Sequence, residues 1–304
     1  MKSLHRIVFS CLLLVVVALT ATSCAVMNAM GSVASVVGTI TGNETLESAG
    51  KSVAAVAEAS APITPEQEYY LGRSVTASLL GSYKIYENPQ LTDYVNKVCQ
   101  VLVLNSSRPQ LYKGYYVAVL DTEQINAFAS SGGHILVTRG LLSCASSEDA
   151  LAAVLAHEVA HIQLQHGIKA IKGDRWTNAA LKVAGSTMVA LSDGEMSEIV
   201  DAFDESVDSI VSTMVNSGYS QSQEYDADAT ALEIMAAAGY NPHAMTEMLE
   251  ELKVRQPKSS GGFASTHPSA SKRLQKVEKE LKSYQQVPVP ELRQQRFDQL
   301  VAAR

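Results

Sequence analysis

The sequence predicts a mainly α domain with a small β-sheet, an α+β fold. Three observations carry that expectation. Apolar residues recur at helical spacing beyond residue 63, as in Leu91, Tyr94, Val95, Val98 and Leu102. Only two short runs, Tyr115–Leu120 and Gly133–Val137, are rich enough in β-formers to read as strands. Aromatic residues make up 6% of the 304 and small residues abound, which suits a helix-rich globular domain.

The chain opens with a basic stretch (Lys2, His5, Arg6) followed by an apolar run from Ile7 to Leu19. That run is shorter than the ~20 residues a helix needs to cross a bilayer, so residues 1–23 read as a secretory signal peptide. Ala21-Thr22-Ser23-Cys24 resembles the lipobox of bacterial lipoproteins, with Ala21 where Leu is usual. Cys24 is therefore the expected lipidation site and the membrane anchor; ordinary cleavage leaving a soluble secreted protein is the alternative. Ala25 in place of Asp after the cysteine favours, by resemblance to lipoprotein sorting rules, the periplasmic face of the outer membrane. Residues 24–62, rich in Ala, Gly, Ser, Thr and Val, can bury little apolar surface and read as a spacer with short helices at most.

Thr64 with Gln67 reads as a capping box opening a helix to about Leu80, and the Leu91–Leu104 helix follows. Ser147-Glu148-Asp149 opens a helix over Ala150 to about Gln165, ended near Gly167. Helical segments run from Ile168 to Met214, with Asn178–Leu191 the most apolar. A helix over Ser222–Ala238 stops at Gly239, another runs from Asn241-Pro242 to about Val254, Gln256–Gly262 is a loop, and Ser269–Leu281 is the last helix. These elements delimit a domain over 63–285 and a tail over 286–304.

Chemistry enters with His157-Glu158-Val159-Ala160-His161, inside a segment already read as helical. Histidines at i and i+4 share one face, so both imidazoles reach one ion. Glu158 lies beside that face, close enough to take a proton from a metal-held water. The apolar neighbours Val154, Leu155, Val159 and Ile162 imply burial, where unpartnered histidines would be costly. Glu224 and Asp228, again i and i+4, open a later helix. One could bind metal while the other orients a ligand imidazole, or both could serve the helix dipole. Cys99 and Cys144 remain once Cys11 and Cys24 are assigned to the export segment; they are either a disulfide or two small buried hydrophobes. A formal charge of −7 offers no basic field for nucleic acid.

From about Thr64 to Leu274 the chain resembles the zinc metallopeptidase family of the CAAX prenyl protease, HtpX, BepA and LoiP. Ile125-Asn126-Ala127-Phe128-Ala129, Gly132-Gly133, Ile135, Gly140-Leu141-Leu142, the run Leu151 to Glu158, Glu224 to Asp228, and Thr266-His267-Pro268-Ser269 with Arg273 carry the resemblance. Ser131 departs from it, standing where the family commonly has Pro. The resemblance implies a gluzincin with one Zn2+ held by His157, His161 and Glu224. It also implies Glu158 as general base, Asp228 behind a ligand, and His267 and Arg273 near the oxyanion of the tetrahedral intermediate. His166 falls where the family often has a further His and is read as structural. Asn126, Ala127, Gly133 and Ile135 are the expected substrate-binding positions, the strand at Gly133–Val137 pairing with an extended protein or peptide substrate. Without multi-span segments, and ending at Arg304 soon after the motif helix, the chain is closest in plan to compact LoiP-like lipoprotein peptidases. The expected activity is endopeptidase cleavage of misfolded or envelope proteins. The rivals are a scaffold that keeps the zinc site without proteolysis, and a latent protease with His267 as a fourth ligand.

Overall fold

In a computed structural model, residues 24–42, 63–169, 204–255, 262–267 and 270–302 are described. The signal-peptide segment, the end of the expected spacer, the Asn178–Leu191 segment and most of the Gln256–Gly262 loop lie outside these residues. Two compact units are present: one takes in residues 1–63 with 173–202, the other 64–172 with 203–304. In the first, Cys24–Thr41 is a single 18-residue helix, α1, longer than the short helices expected of a spacer. Among the described residues, no helix is long and apolar enough to cross a membrane.

The second unit starts as its sequence dictates. Thr64 and Gln67 form a reciprocal capping box, with bonds of 3.2 and 2.9 Å, and Pro65 opens α2 (Pro65–Leu80). Helix α3 (Pro89–Leu104) buries the Leu91, Tyr94, Val95, Val98 and Leu102 stripe.

Three strands follow, not two: β1 (Tyr116–Leu120), β2 (Ala127–Ser130) and β3 (His134–Thr138). Their order is β1-β3-β2, with β3 parallel to β1 and antiparallel to β2. The tight turn between β2 and β3 depends on Gly132 and Gly133, at φ 71° and 95°. The turn is packed hard on α2: a Cβ on Gly72 would fall 1.6 Å from the Ser131 carbonyl oxygen. The turn thus closes on its glycines and on α2 with Ser131 where the resemblance expects a proline.

Helix α4 (Glu148–Gln163), capped by Ser147, is the core of the unit: every residue from Glu148 to Ile162 is buried. Its alanines at 150, 152, 153, 156 and 160 let neighbours approach on all sides. After α5 (Asp204–Ser212), helix α6 (Gln221–Ala237), opened by a Ser220/Gln223 capping box, packs along α4. Helices α7 (Ala244–Arg255) and α8 (Ala270–Glu280) close that side.

The boundary expected at residue 285 is not where the unit ends. Helix α9 (Glu291–Phe297) buries Phe297 and, beyond it, Val301. Arg293 binds Asp149, and Arg296 binds Glu148, at the start of α4. These arginines face buried carboxylates, which is why a charged stretch that reads as a solvated tail is structural.

The disulfide alternative is also corrected. Cys99 and Cys144 are free thiols, both buried. Cys99 packs in the core and Cys144 donates to the Gly140 carbonyl at 3.4 Å, so they act as small hydrophobes.

Candidate metal centre

Because α4 is buried on every face, His157 and His161 lie inside the protein one turn apart, their Nε2 atoms 2.9 Å from each other. Helix α6 brings Glu224 opposite: its Oε2 is 3.6 Å from His157 Nε2, and its Oε1 is 3.5 Å from His161 Nε2. His267 follows the one-turn helix Phe263–Thr266 and sets Nδ1 3.0 Å from Glu224 Oε1 and 3.3 Å from His157 Nε2. One ligand atom from each of these four buried residues lies within 4.8 Å of all the others.

That arrangement fits a metal ion. Tetrahedral bonds of 2.0–2.1 Å to nitrogen and oxygen place neighbouring ligand atoms about 3.3 Å apart, and the observed separations lie on either side of that value. Imidazole with carboxylate is a donor set suited to zinc.

Asp228 lies one turn beyond Glu224, its Oδ1 3.0 Å from His157 Nδ1, the nitrogen turned away from the cluster. Arg273, buried on α8, grips that carboxylate through Nε at 2.8 Å and Nη2 at 2.6 Å, and holds Nη1 3.1 Å from Glu224 Oε2. A buried guanidinium is thus matched to two buried carboxylates.

Charge follows from this packing. Burial and Arg273 disfavour a protonated His157, but hydrogen bonds to Asp228 and Glu224 outweigh them and carry its pKa up to about 9. Burial and the neighbouring His157 charge push His161 the other way, well below its usual value. Burial works against ionisation of Glu224, yet the charges of His267 and Arg273 hold it well below the usual carboxylate range.

Glu158 differs from the other carboxylates. It is fully buried, both of its oxygens lack a hydrogen-bond partner among the described residues, and its nearest ionic neighbour there is His267 Nε2 at 3.8 Å. Burial pushes its carboxyl up, against the opposing pull of His267 and His157. An orphaned buried carboxylate costs stability, and it is also a base poised to take a proton.

The positions expected to bind substrate divide. Asn126 is buried, and its Oδ1 accepts from Ala127 N at 2.9 Å and from Thr266 Oγ1 at 3.2 Å. Ala127 begins β2, an edge strand. Gly133 lies in the turn and Ile135 in β3, the central strand, whose two edges are taken by β1 and β2. The pairing of a substrate with Gly133–Val137 is therefore closed off. The edge strands are β1 and β2, and Phe263 N donates to the Ile125 carbonyl, 2.8 Å away, two residues before β2 begins.

Two further residues touch His161. His166 Nδ1 lies 2.8 Å from His161 Nδ1, and the Tyr219 ring stacks on His161 with centroids 4.3 Å apart and planes at 21°. Tyr219 had no signal beyond its place before the Ser220 cap, and His166 read as structural.

Residues 89–281 match the model of peptidase family M48. The chain is 27% identical over 215 residues to the β-barrel assembly-enhancing protease of Escherichia coli O157:H7, covering 68% of this chain and 42% of that protein. It is 30% identical over 193 residues to the mitochondrial metalloendopeptidase OMA1 of Schizosaccharomyces pombe, 62% of this chain and 52% of that one. The metalloprotease LoiP of Escherichia coli K12 is 28% identical over 176 residues, 57% of this chain and 63% of that one. The chain thus spans less than half the length of the assembly-enhancing protease it matches. With the family model covering well over half of the sequence, the chain belongs to peptidase family M48.

Proposed function

We propose that the chain is a zinc-dependent endopeptidase of the bacterial cell envelope, exported under residues 1–23 and anchored through lipid on Cys24. The observation that carries the catalytic part is the unpartnered, buried Glu158 carboxylate beside the converged His157, His161 and Glu224. A scaffold that only held an ion would need those ligands but not a buried base kept free of partners. When bound, zinc would supply Lewis-acid polarisation of a peptide carbonyl and acidification of a water. Glu158 takes the proton of the attacking water and passes it to the leaving amine nitrogen. Asp228, clamped by Arg273, accepts from His157 Nδ1–H and so keeps Nε2 available as a ligand.

The protease and metalloendopeptidase names of the relatives support peptide hydrolysis; misfolded or envelope proteins as substrates rest on the family and the compartment, and the outer membrane as location rests on the export and lipobox patterns. The purified protein and its Glu158→Gln variant should each bind one zinc, with casein cleavage at least about 100-fold lower in the variant. Equal cleavage by both would end the assignment of Glu158 as base.

One observation favours a second reading. His267 Nδ1 lies among the ligand atoms, held there by a segment whose Phe263 N bonds the Ile125 carbonyl just before β2, as in a site closed by its own chain. If His267 serves the oxyanion, His267→Ala loses activity, by roughly 100-fold. If His267 instead keeps the enzyme latent as a fourth ligand, the same variant is more active than wild type.

A further inference from the structure

Helix α4 stops at Gln163. Continued regularly, it would turn His166 about 140° around the axis from His161, five residues earlier. The chain instead bends back. Gln165 takes φ 55°, the one non-glycine residue with positive φ among those described, at a cost of about 1 kcal/mol. The one-turn helix His166–Lys169 begins immediately after it and returns His166, buried, to the ligand helix.

His161 directs Nε2 at His157 and Glu224, so Nδ1 is its outer nitrogen, and that is the atom His166 meets at 2.8 Å. Two facing imidazole nitrogens this close share one proton, one donating and the other accepting. If Nε2 is a ligand, Nδ1 of His161 carries the hydrogen and donates.

Resting on the zinc reading, we propose that His166 is a positioning residue for the metal centre. It accepts the Nδ1–H of His161, fixes the tautomer that frees Nε2, and holds the ring in plane against Tyr219. The two ligand histidines are then supported differently. His157 leans on a carboxylate, and His161 leans on a neutral imidazole. The asymmetry has an electrostatic reason. Glu158, Glu224 and Asp228 already place three carboxylates in this buried centre, with Arg273 as the facing guanidinium. A fourth carboxylate behind His161 would add one more negative charge to a centre already buried from water. An imidazole supplies the acceptor without the charge.

Competition with a chromophoric chelator, on the full chain, measures this without reference to activity. His166→Leu keeps much of the volume but no acceptor, and is expected to weaken zinc binding by about 10- to 100-fold. His166→Gln restores an acceptor and should stay within a few-fold of wild type. Should the Leu variant not fold, the proton spectrum of zinc-loaded wild type decides instead. A slowly exchanging Nδ1–H signal from His161 is expected there, persisting in the Gln variant, and its absence from wild type overturns the proposal. Zinc binding by His166→Leu as tight as wild type would reduce His166 to packing and also overturn it. If wild type itself takes up no zinc, the zinc reading fails and this one with it. Tight zinc in wild type with no difference at His166 sinks this inference alone.

Discussion

Asp228→Asn is the substitution that separates the metal centre from the fold around it. The change keeps shape and removes one charge. Asp228 faces two partners: His157 Nδ1 at 3.0 Å, and Arg273 through bonds of 2.6 and 2.8 Å. On the first side, a carboxylate behind a ligand imidazole fixes its tautomer and raises its basicity, and losing it costs about 10- to 100-fold in metal affinity. That range corresponds to about 1.4–2.8 kcal/mol. On the second side, Arg273 stays buried with Glu224 as its remaining carboxylate at 3.1 Å. Removing one partner of a buried pair costs about 3–5 kcal/mol, and the surviving Glu224 contact places the expected loss at the lower end. Two measurements read the two sides: chelator competition for zinc, and urea unfolding of the metal-free protein. Both should fall. If unfolding shifts while zinc affinity holds, the carboxylate serves Arg273 alone and the orienting role assigned to it is wrong. If neither moves, the charge bookkeeping of this site is mistaken throughout.

Two other predictions concern the frame. Burial opposes ionisation of Glu148, but hydrogen bonds from Arg296, Tyr94 and Tyr240 outweigh it and hold its pKa below the ordinary value. A depressed carboxylate stabilises the fold above its unfolded pKa of about 4.3, and that stability is lost as pH falls through the lower folded value. The urea midpoint of Glu148→Gln should lie below that of wild type at pH 7, and the gap between them should narrow as pH falls below about 5; a gap that stays constant would refute this source. Gly72→Ala sets a Cβ 1.6 Å from the Ser131 carbonyl, a clash with backbone that no rotamer relieves. It should cost about 3 kcal/mol or more and, by displacing the β2–β3 turn, impair folding; a wild-type melting temperature would show that α2 and the turn move apart freely.

Much of this architecture was legible in the sequence because its signals are local. Capping boxes at Thr64 and Ser220, the Ser147 cap, and apolar spacing in α3 each depend on residues a few positions apart. His157, Glu158 and His161 were legible for the same reason, one turn of one helix holding all three. Strand β2 was not: Ala127-Phe128-Ala129-Ser130 is short and mostly small, with nothing to mark it as half-buried sheet until β3 pairs with it. The central position of β3 was likewise invisible, since strand order is decided by contacts across the sheet. Cysteine parity suggested a bridge between Cys99 and Cys144, but parity holds no information on distance. Arg293 and Arg296 looked like solvated charges because their carboxylates stand early in α4. The approach of His166 to His161 depends on one backbone angle at Gln165, which no residue preference announces.

Those two arginines set an order of events in the making of the molecule. Their partners, Asp149 and Glu148, precede them by 144 and 148 residues. A chain emerging from a ribosome therefore completes the helix bearing His157, Glu158 and His161 long before the cations that neutralise its first turn exist. Until then two acidic groups at the head of that helix rely on the Ser147 cap, the helix dipole, Tyr94 and the Asn241 amide. The first turn of that helix reaches its full charge balance only once residues 291–296 have been made and have docked on it.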